Sequence, residues 1–178
     1  MIVLFNKPFN VLCQFTDKED RKTLSDFIPV KNIYAAGRLD YDSEGLVLLT
    51  DDGKLQHKIL DPKHKLEKSY LVQVEGQIDQ AAINKLKNGI LLKDGLTKPA
   101  KVKIIDKPKI NERNPPIRKR KNIPTSWIEL KITEGKNRQV RRMTAAVGYP
   151  TLRLVRISIG QWNIDKLKPG EYKIINSP

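Results

Sequence analysis

The 178-residue chain contains a single cysteine, Cys13. One thiol forms no internal disulfide and no cysteine-based zinc site, which suits a reducing cytoplasm. No apolar run approaches the ~18 residues that a helix needs to cross a bilayer, so an integral membrane protein is not expected. The opening Met1-Ile-Val-Leu-Phe-Asn-Lys lacks a charged leader region, a long apolar stretch and a small-residue cleavage site, so no signal peptide is recognisable. There is no glycine-rich phosphate loop, no internal repeat and no low-complexity linker. His57 and His64 stand seven residues apart without metal-binding company, and both read as surface residues. No metal-ligand cluster stands out. Acidic charge is also scarce, with 20 Asp plus Glu against 34 Lys plus Arg, a net +14. Hydrophobic residues make up 39% of the chain, enough for a real core, so wholesale disorder is excluded.

The excess positive charge is concentrated. Residues 1–97 hold 14 basic and 14 acidic side chains, whereas residues 98–142 hold 15 basic and four acidic ones, a net +11. A concentrated basic segment reads as a surface for a polyanion, and nucleic acid is the commonest one. An anionic membrane surface fits less well, because no long basic amphipathic helix is present.

Short runs rich in β-branched and aromatic residues predict strands over 2–5, 45–50, 69–75, 100–105, 126–133, 152–159 and 171–175. Ile128, Leu130 and Ile132 alternate with Glu129, Lys131 and Thr133, the pattern of a half-buried strand. The run from Leu152 alternates imperfectly and carries Arg153 and Arg156. Helices are predicted over 23–28, 53–60, 79–88 and 137–147. Asp79 can cap the third, and Gly89 ends it. Many strands with a few helices argue for an α+β fold with a mostly antiparallel sheet. One domain is expected over 1–178, with a division into 1–62 and 63–178 possible. Residues 106–124 carry Pro108, Pro115, Pro116 and Pro124 with seven Lys or Arg, and read as a long, mobile basic loop.

The most informative stretch runs from Gly37-Arg-Leu-Asp-Tyr-Asp-Ser-Glu-Gly to Asp51-Asp52-Gly53. Arg38, Asp40, Asp42 and Glu44 lie between two glycines ahead of an apolar strand. Three readings compete. The acids can simply cap local N–H groups and pair with Arg38. Asp40-x-Asp42-x-Glu44-Gly45 resembles the first half of an EF-hand loop. That reading is rejected, because its twelfth position is Asp51 rather than Glu and no helix precedes Asp40. The third reading is a catalytic carboxylate, Asp40, with Arg38 two residues away favouring its ionised form.

A second stretch, Glu134-Gly-Lys-Asn-Arg-Gln-Val-Arg-Arg-Met, opens a helix. Helical spacing places Arg138, Arg141 or Arg142, and Ala145 on one face. Val140, Met143, Thr144 and Val147 fall toward the core. A helix start with free N–H groups and arginines suits an anion, either a phosphate or a carboxylate held by an arginine fork. An ordinary amphipathic helix with a basic solvent face is the plainer alternative.

Together these stretches, with Lys68-Ser-Tyr-Leu-Val between them and Val147-Gly-Tyr-Pro and Leu152-Arg-Leu-Val-Arg after them, resemble the ordered motifs of bacterial ribosomal RNA pseudouridine synthases. The group is the one typified by the small-subunit 16S enzyme. The resemblance covers essentially the whole chain. Further segments, Asn6-Lys-Pro, Tyr34-Ala-Ala-Gly and Asn114-Pro-Pro-Ile-Arg among them, are similar to members that act on the large subunit. Most relatives carry an amino-terminal RNA-binding module of the S4 type, and this chain starts directly at the catalytic domain.

The resemblance implies an α+β pseudouridine synthase fold with a central cleft. It implies conversion of a uridine to pseudouridine in 23S ribosomal RNA without a cofactor. The single cysteine points to the cytoplasm, and short strands without an exposed apolar heptad read as a monomer. The resemblance assigns Asp40 as the essential aspartate, Tyr70 as the tyrosine packed on the uracil, and Arg141 as the basic residue paired with the aspartate. Ser43 stands where many relatives have Thr, and the hydroxyl is kept. The RNA footprint expected beside this site is Arg38, Lys136, Asn137, Arg138, Gln139 and Arg142, with Arg118, Lys119, Arg120 and Lys121 in the basic loop. The competing function is a non-catalytic RNA-binding or ribosome-assembly protein with a purely structural acidic loop.

Overall fold

The computed structural model describes residues 1–176. Its strands form where side chains alternate between two environments. Strand β4 (Lys68–Glu75) and strand β8 (Thr125–Ile132) pair antiparallel along their whole length, from Lys68 opposite Ile132 to Glu75 opposite Thr125. Tyr70, Val72 and Val74 share one face with Ile128, Leu130 and Ile132, and Leu71 and Trp127 take the other. The remaining strands are β1 (Ile2–Lys7), β2 (Tyr34–Ala36), β3 (Glu44–Thr50), β5 (Leu91–Leu92), β6 (Gly95–Leu96), β7 (Lys101–Ile105), β9 (Thr151–Ile159), β10 (Trp162–Asn163) and β11 (Tyr172–Ile175). Three α-helices complete the fold: α1 (Gly53–Leu60), α2 (Gln80–Asn88) and α3 (Gln139–Ala146).

The main sheet has the order β11-β1-β3-β9-β4-β8-β7, with β2 added to β3 and β10 to β9. All its pairs are antiparallel except β3 with β9, which run parallel at Glu44–Val155 and Gly45–Arg156. This is the expected α+β architecture with a mixed, mostly antiparallel sheet. The two-residue β3–β9 contact is the seam that joins the two halves. Strands β10 and β11 return from the end of the chain to the first half, where β11 pairs with β1.

Helices α2 and α3 cover one face of the second half. Ala82, Ile83 and Leu86 of α2 and Val140 and Met143 of α3 pack on the Tyr70 side of β4. A fully buried aliphatic side chain contributes about 1.5–3 kcal/mol, so this layer is the main anchor of α3. Capping follows the sequence: Asp52 accepts from Lys54 and Leu55 at the start of α1, and Asp79 accepts from Ala82 at the start of α2. The helix expected over 23–28 is a single 3-10 turn, Leu24–Asp26, closed by a capping box between Thr23 and Asp26. Pro29 allows no further turn.

The basic loop after β7 is not the free segment that its composition suggests. Ile110 packs on the outer face with Leu71, Trp127 and Val155. The Asn111 carbonyl accepts from Arg153, and Arg113 lies over the Phe9 ring at 4.0 Å while donating to the Leu152 carbonyl. Apolar and cation–π contacts hold residues 110–113 to the sheet. No described helix is long and apolar enough to cross a membrane.

Candidate active site

Asp40 lies in the turn between β2 and β3, which pair directly (Ala36 opposite Leu48). The turn is built from the chain outward. Leu39 is buried among Val47, Leu49 and the segment packed on β1, so it anchors the turn in the core. Ser43 N–H donates to the Asp40 carbonyl at 3.1 Å and closes the loop. The Asp40 and Asp42 carboxylates are then left about one-third exposed, with side-chain accessibilities of 34% and 35%.

Three buried cations hold this turn from below. Arg156, 3% exposed, donates through Nη2 to the Gly37 carbonyl and through Nε to the Leu46 carbonyl, each at 2.9 Å. It thus ties together the two ends of the acidic motif. Gly45 is required beside it: its φ is +108°, and any Cβ there would collide with the Arg156 carbonyl. Arg153 forms a bidentate buried pair with Glu44, with contacts of 3.0 and 2.9 Å. Lys7, fully buried, donates to the carbonyls of Pro8, Val11 and Tyr41 at 2.8, 2.9 and 3.4 Å. Burial pulls the Lys7 ammonium down to about 8, against the opposing pull of Cys13, Glu44, Asp42 and Asp40.

The second motif meets the first from above. Arg138 is not part of helix α3. It is the residue before it, in the left-handed conformation with φ 50° and ψ 33°. That conformation costs a non-glycine residue roughly 1 kcal/mol and marks a position held by its surroundings. It turns the side chain toward the acids instead of along the helix face. Arg138 makes a fork to Asp42 (3.0 and 2.9 Å) and reaches Asp40 Oδ2 at 3.4 Å. The Arg138 guanidinium holds the Asp42 carboxyl below the usual carboxylate range, with Arg141 adding to the effect.

Arg141, expected to pair with Asp40, instead holds the neighbouring backbone. Its Nη2 donates to the Asp42 carbonyl at 2.8 Å and to Ser43 Oγ at 3.3 Å, and lies 3.6 Å from Asp42 Oδ1. Its Nε is buried without a hydrogen-bond partner. Burial pushes the Arg141 guanidinium down from its ordinary value, opposed chiefly by the Asp42 charge. The ion pair to Asp40 is therefore made by Arg138. Arg38, expected among the RNA contacts, is exposed and donates to Gln14 rather than to Asp40.

Tyr70 sits on β4 with Arg156 opposite it on β9 and Leu130 opposite it on β8. It is 8% exposed and belongs to the core face that carries α3. The strand register thus runs from Gly45 through Arg156 to Tyr70, and each step between strands is about 4.8 Å.

The expected RNA contacts divide into two groups. Arg118, Lys119, Arg120 and Lys121 are exposed, and of these only Arg120 makes an ion pair among the described residues, to Glu75 at 3.5 Å. Asn137 is exposed, and Lys136 lies 3.8 Å from Glu134. Gln139 is 3% exposed and cannot face RNA. It accepts from Lys136 N–H and donates to Glu134, so it shapes the turn from within. Arg142 has its fork engaged by Asp94 and its Nε donating to the Asn137 carbonyl. Among the described residues no group of three His, Cys, Asp or Glu side chains is placed to hold a metal.

Sequence reasoning passed over Lys7, Arg153 and Arg156 as parts of the site. The imperfect alternation of β9 was the available signal for the two arginines, since a charged residue on both faces of a central strand demands a buried partner.

Asp40 is thus a part-exposed carboxylate on a pinned turn, with the Arg138 guanidinium 3.4 Å away. The sequence model for RNA pseudouridylate synthase matches residues 1–146. Ribosomal large subunit pseudouridine synthase E of Vibrio vulnificus is 59% identical over 177 residues, covering 99% of this chain and 76% of the relative. The protein of the same name from Xanthomonas campestris pv. campestris is 53% identical over 177 residues, covering 98% of this chain and 95% of the relative. A crystal structure of a pseudouridylate synthase superposes with a TM-score of 0.81 at 35% identity, covering 98% of this chain and 70% of that one. On these likenesses the chain belongs to the RNA pseudouridylate synthase family and is an RNA pseudouridine synthase, an isomerase.

Proposed function

We propose that this enzyme converts a uridine of large-subunit (23S) ribosomal RNA to pseudouridine, with Asp40 as the reacting carboxylate. The names of the relatives at 59% and 53% identity support the choice of RNA. The reading rests on one observation: Asp40 is a part-exposed carboxylate with Arg138 at 3.4 Å, on a turn whose backbone is fixed by Arg141, Arg156 and Lys7.

Pseudouridine formation breaks the C1′–N1 bond, turns the base and closes a C1′–C5 bond. C5 loses a proton and N1 gains one, so the atoms balance without a redox partner, and no cofactor is invoked. Asp40 serves either by attack on C1′ or by removing a ribose proton, and both routes need it ionised and aimed. The Arg138 guanidinium, 3.4 Å from Asp40 Oδ2, aims the carboxylate. The arginines and backbone around it are preorganised and need no rearrangement during the reaction. The uridine must leave its stack, at a cost of a few kcal/mol, and Tyr70 offers the ring that receives it. Tyr70 or a water takes the C5 proton.

Affinity is carried separately by the exposed cations. Arg118, Lys119, Arg120 and Lys121 supply phosphate contacts, with Lys136 and Asn137 nearer the turn. The whole chain acts as one catalytic domain and works as a monomer in the cytoplasm.

The test is Asp40→Asn, with large-subunit RNA assayed for pseudouridine and for binding. Lost modification with wild-type affinity is expected. Retained modification refutes the role of Asp40, and a non-catalytic RNA-binding protein would show no modification by the wild type.

A further inference from the structure

The turn from β5 to β6 carries the two most exposed large hydrophobic side chains among the described residues, Leu91 at 78% and Leu96 at 64%. They are directly opposed in the antiparallel pair, so their side chains leave the same face together. The other face is spoken for, because Leu92 and Ile90 pack on the core beneath α3. A two-residue strand pair has little stability of its own. This one is held at several points. The Thr97 hydroxyl accepts from Ile90 N–H at 2.8 Å, and Thr97 N–H donates to the Ile90 carbonyl at 2.9 Å. The Asp94 carboxylate is gripped by the Arg142 fork at 2.7 and 3.2 Å. Lys98 N–H donates to Glu134 at 2.7 Å. The hairpin is thus fastened to both ends of the 134–142 segment that supplies Arg138 to Asp40. Arg142 N–H donates to the Arg138 carbonyl, so the Asp94 anchor lies one helical turn from the residue that touches the catalytic carboxylate.

We propose that the Leu91–Leu96 pair is an RNA-contacting wedge that packs against nucleobase faces next to the extruded uridine. The inference rests on RNA as the macromolecule bound at this site. A base leaving its stack uncovers the faces of its neighbours, and apolar side chains are suited to cover or part such steps. The surroundings select nucleic acid over a protein partner. Lys93 lies in the hairpin turn, the Lys136 ammonium lies 3.9 Å from the Cβ position of Gly95, and Arg142 stands behind Asp94. An apolar pair flanked by the Lys93 and Lys136 ammonium groups fits bases with phosphates on either side. The pair also explains the arrangement of Arg142, whose donors are committed to Asp94 and the Asn137 carbonyl: it positions the hairpin.

The experiment uses the full chain and in vitro transcribed large-subunit ribosomal RNA, with filter binding at several salt concentrations. The double variant Leu91→Ser, Leu96→Ser is expected to weaken binding about tenfold while keeping the wild-type salt slope, because an apolar contact releases no counterions. Its melting temperature is expected to equal the wild type's, since both side chains are already in water. An unchanged affinity overturns the proposal. So does a weakened affinity with a flattened salt slope, or a wild-type dimer in sedimentation that the variant loses, which would make a second copy of the chain the occupant. Failure of the RNA reading is distinguishable, because wild-type and Asp40→Asn proteins would then fail to bind the transcript as well.

Discussion

Arg156 donates to the carbonyl of Gly37 at 2.9 Å across 119 residues of sequence. Its other donor holds Leu46, so one guanidinium closes both ends of the turn that presents Asp40. Lysine has the charge but not the fork, and cannot serve two carbonyls so placed. Arg156→Lys is expected to lose about 2–4 kcal/mol of stability, the worth of one or two buried bonds to a charged donor. At a temperature where the variant is folded, kcat should fall at least tenfold with KM for RNA little changed. A wild-type kcat would show that the turn keeps its shape without this tie.

Arg138 and Asp42 form the outer ion pair of the site, and it is part-exposed. Because Arg138 lowers the Asp42 pKa from 3.8, the unfolded chain takes up the proton first as pH falls. The pair's stabilisation is therefore complete well above pH 4 and disappears in more acidic solution. The stability difference between wild type and Asp42→Asn, followed by urea unfolding, should be flat from neutral pH to about 5 and shrink below about 4. Arg138→Lys keeps a charge but gives up the fork and the Asp40 contact. A loss of about 10- to 100-fold in kcat is expected, and full activity would remove Arg138 from the site.

Glu44 and Arg153 are both nearly inaccessible, with side-chain exposures of 7% and 6%. Removing one partner leaves the other charge buried. Glu44→Ala should cost about 3–5 kcal/mol in chemical denaturation. The double variant Glu44→Met, Arg153→Met should recover most of that loss. Arg153 also holds the Asn111 carbonyl, so the double variant should exchange amide hydrogens faster over residues 106–116 even where global stability is restored. Equal exchange would mean that Ile110 and Arg113 hold the loop without it.

Lys7 is charged and buried at neutral pH, with its pKa at about 8 instead of 10.5. Between these values the unfolded chain binds more protons than the folded one, so rising pH favours folding. Relative to Lys7→Met, the wild type should gain about 3 kcal/mol as pH rises from about 8 to about 10.5. A difference that does not change with pH would place the Lys7 ammonium in contact with solvent.

Much of this molecule was legible in its sequence. Helix α1 runs over the predicted residues 53–60, and Asp79 opens α2 as a side-chain cap. Strands β4 and β8 carry their inward residues at every second position. These features depend on neighbours a few residues apart, so periodicity, caps and glycines report them directly. The acidic turn that carries Asp40 was legible for a related reason: acids confined between glycines at the edge of a strand are positioned by a local turn.

The partners of that carboxylate were not legible. Helical spacing placed Arg138 and Arg141 on one face, but Arg138 takes a left-handed backbone outside the helix and reaches Asp40, while Arg141 turns to the Asp42 carbonyl. The basic loop reads as mobile by composition, yet Ile110, Asn111 and Arg113 dock it on the sheet. Lys7, Arg153 and Arg156 look like interruptions in apolar strands until the turn packs over them. By itself the sequence determined the longer strands, the three α-helices, the acidic turn and the sign of the partner's charge, because each is written in local spacing or in composition. Tertiary structure alone decided which cation meets which carboxylate or carbonyl, because those bonds close across roughly 100 residues of chain and depend on the parallel β3–β9 seam that brings them together.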